Sequence, residues 1–346
     1  MRGLARFWIG VLAAAVCGVI IVQALGPPAR PPTRPEPIKQ PEQPVQAEPS
    51  APATVPARIA LPHPALLEGP AGLPSAALPK IAADGRTPMQ VYSAPFSPAD
   101  RRSRIGIVLA GIGLSEADSE DAIRKLPGGI TLAFSPYSAR PEDLLEAARA
   151  AGHEFLISLP LEPEGYPVND AGDHALLTGA TPAQNRDRLN WALSRIQGYV
   201  GATGALGTLH GERFAASAEQ MNPVLDTLAR RGLLYIGTRN AAPPVGNVAE
   251  RSVDVIIDDP ADGRDIDLKL AQLEQIARER GSALGLAGAV RPVTIAHLAA
   301  WASGLADRGF TLAPVSALVS MPRTQAKSEQ SAQTLSLGEH GNEAPR

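Results

Sequence analysis

Ile105-Gly106-Ile107-Val108-Leu109 runs into Ala110-Gly111-Ile112-Gly113 and then into Ser115-Glu116-Ala117-Asp118. The first five residues read as a short buried strand and the glycine pair as a turn. Ser115 with Asp118 reads as a helix cap with an acidic first turn. The same strand-then-helix unit recurs down the chain. Ile130–Phe134 precedes a helix from Pro141 to Ala151, and Phe155–Leu159 precedes a long loop and a helix from Pro182 to Ile196. Ala205–Leu209 precedes a helix from Ala218 to Arg231, and Leu233–Gly237 and Val253–Ile257 are further strands. A helix from Asp265 to Arg280 precedes the strand Ala283–Leu286. A last helix from Thr294 to Arg308 precedes Phe310–Ala313. Gly152, Gly281 and Gly309 follow last helical turns, where glycine is the expected stop signal. Strands alternating with helices predict an α/β fold with a parallel sheet covered by helices. The strand count favours a closed or nearly closed barrel; a doubly wound open sheet is the alternative.

The N-terminal part reads differently. Arg2 and Arg6 precede an uncharged apolar run from Phe7 to Leu25. That length just spans a bilayer as a helix, and the arginines place the N-terminus on the cytoplasmic side. A cleaved signal peptide is the competing reading. From Pro27 to Pro64, 13 of 38 residues are proline. Such a segment favours extended polyproline II over any core and reads as a stalk. Up to Ser103 the chain stays rich in Ala, Pro and Gly, with a short strand expected at Met89–Tyr92. The expected domains are thus an anchor or signal over 1–26, a stalk and transition over 27–103, the barrel over 104–320 and a disordered tail over 321–346.

Composition narrows the function. The net charge is -3, so no basic excess drives nucleic-acid binding. The one cysteine, Cys17, allows neither an intrachain disulfide nor a cysteine zinc site. Aromatics are only 4%, and Trp191 and Trp301 alone lie outside the apolar run, both on expected helices, which argues against strong sugar stacking. The Gly111-Ile112-Gly113 turn lacks the third glycine of a dinucleotide fingerprint, since Glu116 stands there.

Several stretches together resemble one family. They are Ile105–Leu109 with Gly113-Leu114, Gly152-His153-Glu154, Leu159-Pro160-Leu161-Glu162-Pro163, Gly211-Glu212-Arg213-Phe214, Arg231-Gly232-Leu233-Leu234-Tyr235, Pro292-Val293-Thr294-Ile295 and Pro314-Val315-Ser316-Ala317-Leu318. In order and spacing they look like the divergent polysaccharide deacetylases, a bacterial branch of the carbohydrate esterases. The resemblance covers Arg104 to Leu318. It implies a distorted (β/α)7-type barrel of parallel strands, preceded here by one membrane helix and a Pro-rich linker. It implies metal-assisted deacetylation, with paired aspartates after the first strand, a histidine near the fourth and another after the Ala283–Leu286 strand. Here Ala110 and Gly111 take the aspartate places, and Ala287, Gly288 and Ala289 replace the late histidine. His210 matches only with a one-residue shift. None of the replacing side chains accepts a proton or ligates a cation. No metal site is therefore expected; a zinc-like divalent ion would belong only to a complete set.

The candidate substrate-binding residues are Glu162, His210, Glu212, Arg213 and Asp258, polar groups at expected strand ends, which in such barrels face the cleft. The expectation is an exported protein on the periplasmic side of a bacterial inner membrane, held by a single span. It would be polysaccharide deacetylase-like and act in envelope glycan metabolism. The alternative is a catalytically inactive envelope module that binds a glycan or a periplasmic protein.

Overall fold

The computed structural model describes residues 58–69, 77–238 and 247–319. The apolar run at Phe7–Leu25, the proline stretch before Arg58 and the tail from Met321 lie outside these residues. Among the described residues no helix is long and apolar enough to cross a membrane.

The chain opens with a small antiparallel pair, β1 (Leu67–Glu68) and β2 (Leu78–Pro79), and a short helix α1 (Pro88–Tyr92). Then come β3 (Ser103–Ile112), α2 (Glu116–Lys125), β4 (Thr131–Phe134), α3 (Pro141–Ala150), β5 (Phe155–Ser158), α4 (Pro182–Ser194) and β6 (Gly201–Thr203). After them stand α5 (Glu212–Ala215), α6 (Ala218–Arg230), β7 (Leu234–Gly237), β8 (Glu250–Ser252), β9 (Val255–Ile256), α7 (Gly263–Arg280), β10 (Ser282–Ala287), α8 (Pro292–Ser303) and β11 (Phe310–Leu312). Strands β3 to β11 form one parallel sheet in the order β8-β7-β6-β5-β4-β3-β10-β9, with β11 beside the first half of β3.

The two ends of that order, β8 and β9, are separated in the chain only by Val253 and Asp254. Val253 N–H donates to Gly237 on one side, and Asp254 N–H donates to Leu284 on the other. One extended segment therefore borders both β7 and β10, and the sheet is curled. This is consistent with the barrel expected from the sequence.

Strand alternation sorts the core. Ile105, Ile107 and Leu109 of β3 pack with Leu144, Leu189, Leu225 and Leu273 from the helices. Val108 and Ala110 turn the other way and pack with Ala133, Leu156, Leu234, Ile236, Leu284 and Leu286 inside the curl. Ile59, Leu66, Tyr92, Val315 and Leu318 join that inner cluster. The stretch read as stalk and transition is thus folded onto the body from its last residues onward, because apolar Ile59, Leu66 and Tyr92 have an inner cavity to fill. Met89–Tyr92 is helical rather than extended, since Thr87 and Gln90 form a reciprocal capping box with Pro88 at the first helical position.

Most other elements fall where the spacing put them. Ser115 caps α2 by accepting from Asp118 N–H at 3.4 Å. Two differ. The strand expected at Ala205–Leu209 is instead a tight turn, and the strand is Gly201–Thr203. At Gly201 a Cβ would meet the Leu234 carbonyl at 2.3 Å, so β6 and β7 require glycine to approach one another. The last helix ends at Ser303 rather than Arg308.

At the amino ends of β4 and β5, Glu154 is fully buried and holds three segments together. It accepts from Ala94 N–H at 3.0 Å, Thr131 Oγ1 at 3.2 Å, Ser316 N–H at 3.0 Å and Ser316 Oγ at 2.6 Å. Burial pushes its carboxyl above the ordinary glutamate range, and these four donors only partly offset that. The ring of neighbouring His153 is equally buried, with Nδ1 2.7 Å from the Ile130 carbonyl and Nε2 3.4 Å from that of Ile123 in the last turn of α2. Its desolvation pulls the imidazole below its ordinary range. The Gly152-His153-Glu154 stretch is therefore architectural.

Candidate functional site at the carboxyl ends of the strands

In curled parallel sheets the side chains beyond the strand carboxyl ends form the reactive mouth. Here that mouth begins at a bulge. The pairing of β3 with β4 shifts register between Leu109 and Ile112, and Gly111 has φ +83. Bulges of this kind re-aim side chains beside active sites, yet Ala110 and Gly111 leave this one without a functional group.

Backbone borders the space above the bulge. A Cβ on Gly111 would lie 3.4 Å from both the Gly207 Cα and the Gly288 carbonyl. A Cβ on Gly288 would stand 2.8 Å from the Gly207 carbonyl and 3.3 Å from the Thr208 Cα. The Ala205–Leu209 turn, closed by reciprocal Leu206 and Leu209 backbone bonds, thus lies across the place where family-type ligands would project. Leu114, more than half exposed, rims the same spot.

Four of the five candidate residues come together on one side of the mouth. Glu162, on the loop after β5, is buried. Its Oε2 accepts from Thr178 N–H at 2.5 Å and Thr178 Oγ1 at 2.7 Å, and its Oε1 pairs with Arg213 Nε at 3.1 Å. Phe214 N–H donates to the Glu162 carbonyl at 3.1 Å, so α5 is tied to that loop. The approach depends on Gly211, where φ is +63 and a Cβ would meet the Leu161 Cβ at 2.4 Å. His210 Nδ1 lies 3.3 Å from Glu212 Oε1. Its Nε2 is buried and has no hydrogen-bond partner among the described residues, and the same holds for Ser158 Oγ at the end of β5.

Asp258, the fifth candidate, meets backbone. Its two oxygens accept from Gly288 N–H at 2.8 Å and Ala289 N–H at 2.9 Å, fixing the loop between β10 and α8. The described side chains of this mouth do not suit a divalent ion. Ala110, Gly111 and Gly288 supply no ligand, Asp258 is committed to backbone, and Glu162 is committed to Thr178 and Arg213. Among the described residues no three His, Cys, Asp or Glu side chains are grouped to hold a metal.

The sequence carried no sign of two contributors. Thr178 lies in the long loop before α4, where nothing marks it as the acceptor's partner. Gly207 sits inside the run expected to be a strand. The two tryptophans behave as expected from their helical positions. Trp191 is stacked on His174 at 3.8 Å with Arg195 5.4 Å from its ring, and Trp301 Nε1 donates to Glu274 at 2.9 Å. The His174 ring thus covers one face of Trp191.

Comparison with known proteins gives a consistent picture. The family model described as divergent polysaccharide deacetylase matches residues 107–319. A Haemophilus influenzae protein described as uncharacterized is 27% identical over 207 residues, which is 58% of this chain and 71% of that one. The crystal structure of an uncharacterized protein from Agrobacterium tumefaciens is similar with a TM-score of 0.65 and 35% identity, covering 70% of this chain and 99% of that one.

Proposed function

Because the chain belongs to the divergent polysaccharide deacetylase family, we propose that it is a member that keeps the barrel and has lost metal-assisted deacetylation, serving as a binding module in the bacterial envelope. The Phe7–Leu25 run would hold it in the inner membrane, and the proline stretch would carry the folded body on the periplasmic side. The observation that supports the loss of chemistry is that Ala110, Gly111 and Gly288 bring neither a ligand nor a base, while the Gly207 backbone lies against Gly288 so closely that a side chain there would clash. The ligand would meet the mouth at the Glu162–Arg213 and His210–Glu212 pairs, which offer charged hydrogen-bonding groups but no aromatic platform. An envelope glycan bound through its hydroxyls, or a periplasmic protein segment, suits such a surface.

The test is acetate release by the purified full chain from N- and O-acetylated glycan oligomers, with and without added zinc, alongside metal analysis of the protein. The expected result is no turnover and no stoichiometric metal. Zinc-dependent acetate release would overturn the reading. One observation favours a second reading: His210 is oriented by Glu212, and its Nε2 has no partner among the described residues, as a general base without a metal would. Acetate release that needs no metal and disappears in His210→Ala would support it.

A further inference from the structure

Away from the mouth, a cavity of about 300 Å³ opens between α4, α6 and the β1–β2 pair. Lys80, Arg186, Arg230 and Arg231 line it, against the single carboxylate of Glu68. Four cations facing one anion are an unbalanced set, and their partners do not correct it. Arg231 Nη1 donates to Glu68 Oε1 and to the Pro79 carbonyl, both at 2.7 Å, while its Nε is buried with no acceptor among the described residues. Among the described residues, Arg230 Nη2 donates only to Thr227 Oγ1, at 3.0 Å. Arg186 keeps a long 3.7 Å contact with Asp187. Lys80 has no ion-pair partner among the described residues. The neighbouring groove along α4 and α6 adds Glu219 and Asp226, neither of which is paired with these cations.

Like charges converge around a concavity at a free-energy cost that a bound anion removes. Guanidinium forks beside a lysine and a threonine hydroxyl match the several acceptor oxygens of a phosphate better than a lone carboxylate does. We propose that this cavity is a binding site for a phosphate group. Arg231 and Arg230 would supply directed donors, and Lys80 and Arg186 the surrounding charge. Glu68 would be the competitor, since it takes up Arg231 in the absence of ligand. The site is separate from the strand-end mouth and does not depend on the reading of that mouth. Its phosphate could be carried by a phospholipid headgroup or by a phosphorylated sugar, and the chemistry recognised is the same.

The test is calorimetric titration of the full chain in neutral detergent at low ionic strength. Three probes are used: inorganic phosphate, the deacylated headgroup glycerophosphoglycerol, and mannose phosphate. Saturable binding of at least one probe is expected, weakened about tenfold or more by Lys80→Ala/Arg230→Ala and suppressed by salt. Arg230 is exposed, and half-buried Lys80 has no ion-pair partner among the described residues, so the fold should be kept. Glu68→Ala should act in the opposite direction and tighten binding, which a merely destabilised variant would not do. Preference for glycerophosphoglycerol assigns the site to a lipid, and preference for mannose phosphate assigns it to a glycan. No saturable binding of any probe, or binding unchanged in the double variant, overturns the proposal.

Discussion

The carbonyl oxygen of Gly207 stands 2.8 Å from where a Cβ on Gly288 would sit. Backbone is on both sides of that contact, so neither side can yield by rotating a side chain. Gly288→Ala should therefore destabilise the fold by about 1–3 kcal/mol, the usual range for overpacking a tight site. Gly288→His, which places a histidine where the family pattern expects one, should destabilise at least as much and bring no metal binding. Thermal melts with and without zinc check this; a zinc-dependent rise in Tm for Gly288→His would contradict it.

Glu162 and Arg213 should not be equivalent, although they form one ion pair. Arg213 is about half exposed, and such pairs contribute little. Glu162 is buried and is the acceptor for both donors of Thr178. Glu162→Ala should cost about 1–3 kcal/mol by leaving those donors unsatisfied, whereas Arg213→Ala should be near neutral for stability. Denaturant midpoints of the two variants provide the comparison.

Glu154 makes stability depend on pH with a defined sign. Its carboxyl titrates higher in the folded chain than in the unfolded chain, because burial penalises the charge. Folding therefore takes up a proton between the two values. Its contribution is complete below the ordinary glutamate range and is lost as pH rises through the raised folded value. Glu154→Gln should remove this component. The difference in Tm between wild type and variant should thus grow as pH is lowered from neutrality. At neutral pH the variant should still lose about 1–3 kcal/mol, since an amide NH2 would face Ala94 N–H or Ser316 N–H. A pH-independent difference would show that Glu154 does not titrate in this window.

Asp258→Ala should weaken the fold by about 1–3 kcal/mol, because Gly288 and Ala289 lose their acceptor. Asp258→Asn keeps one acceptor oxygen and should lose less. Ligand binding at the mouth should be unchanged in Asp258→Asn. If that variant kept full stability but lost ligand, Asp258 would be a contact residue and not a loop anchor.

The sheet was legible because its strands are buried on both faces and read as apolar runs, and because Ser115, Pro141, Pro182 and the glycine stops mark helix ends chemically. What misled was short or substituted. Gly201-Ala202-Thr203 has too little apolar character to be seen as a strand. Ala205, Leu206 and Leu209 are apolar because they cover the mouth, a role that period-two alternation cannot separate from a strand. Residues from Arg58 to Tyr92 were hidden by their proline content, although Leu66 and Tyr92 are fully or nearly fully buried. At the site, the grouping of His210, Glu212 and Arg213 was legible from their closeness in the sequence, whereas the pairing of Arg213 with Glu162 was not. Nor was the role of Asp258, since an acid at a strand end looks the same whether it faces a ligand or a backbone amide.

The segment from Glu250 to Ile257 has its own consequence for the life of the molecule outside the folded state's chemistry. Exposed terminal strands are templates on which other chains add and aggregate. Here the first and last strands of the order are one piece of chain, bonded to Gly237 on one side and to Leu284 and Leu286 on the other. The segment thus has a bonded neighbour on each side in turn, which shortens the bare edge left for another chain to extend.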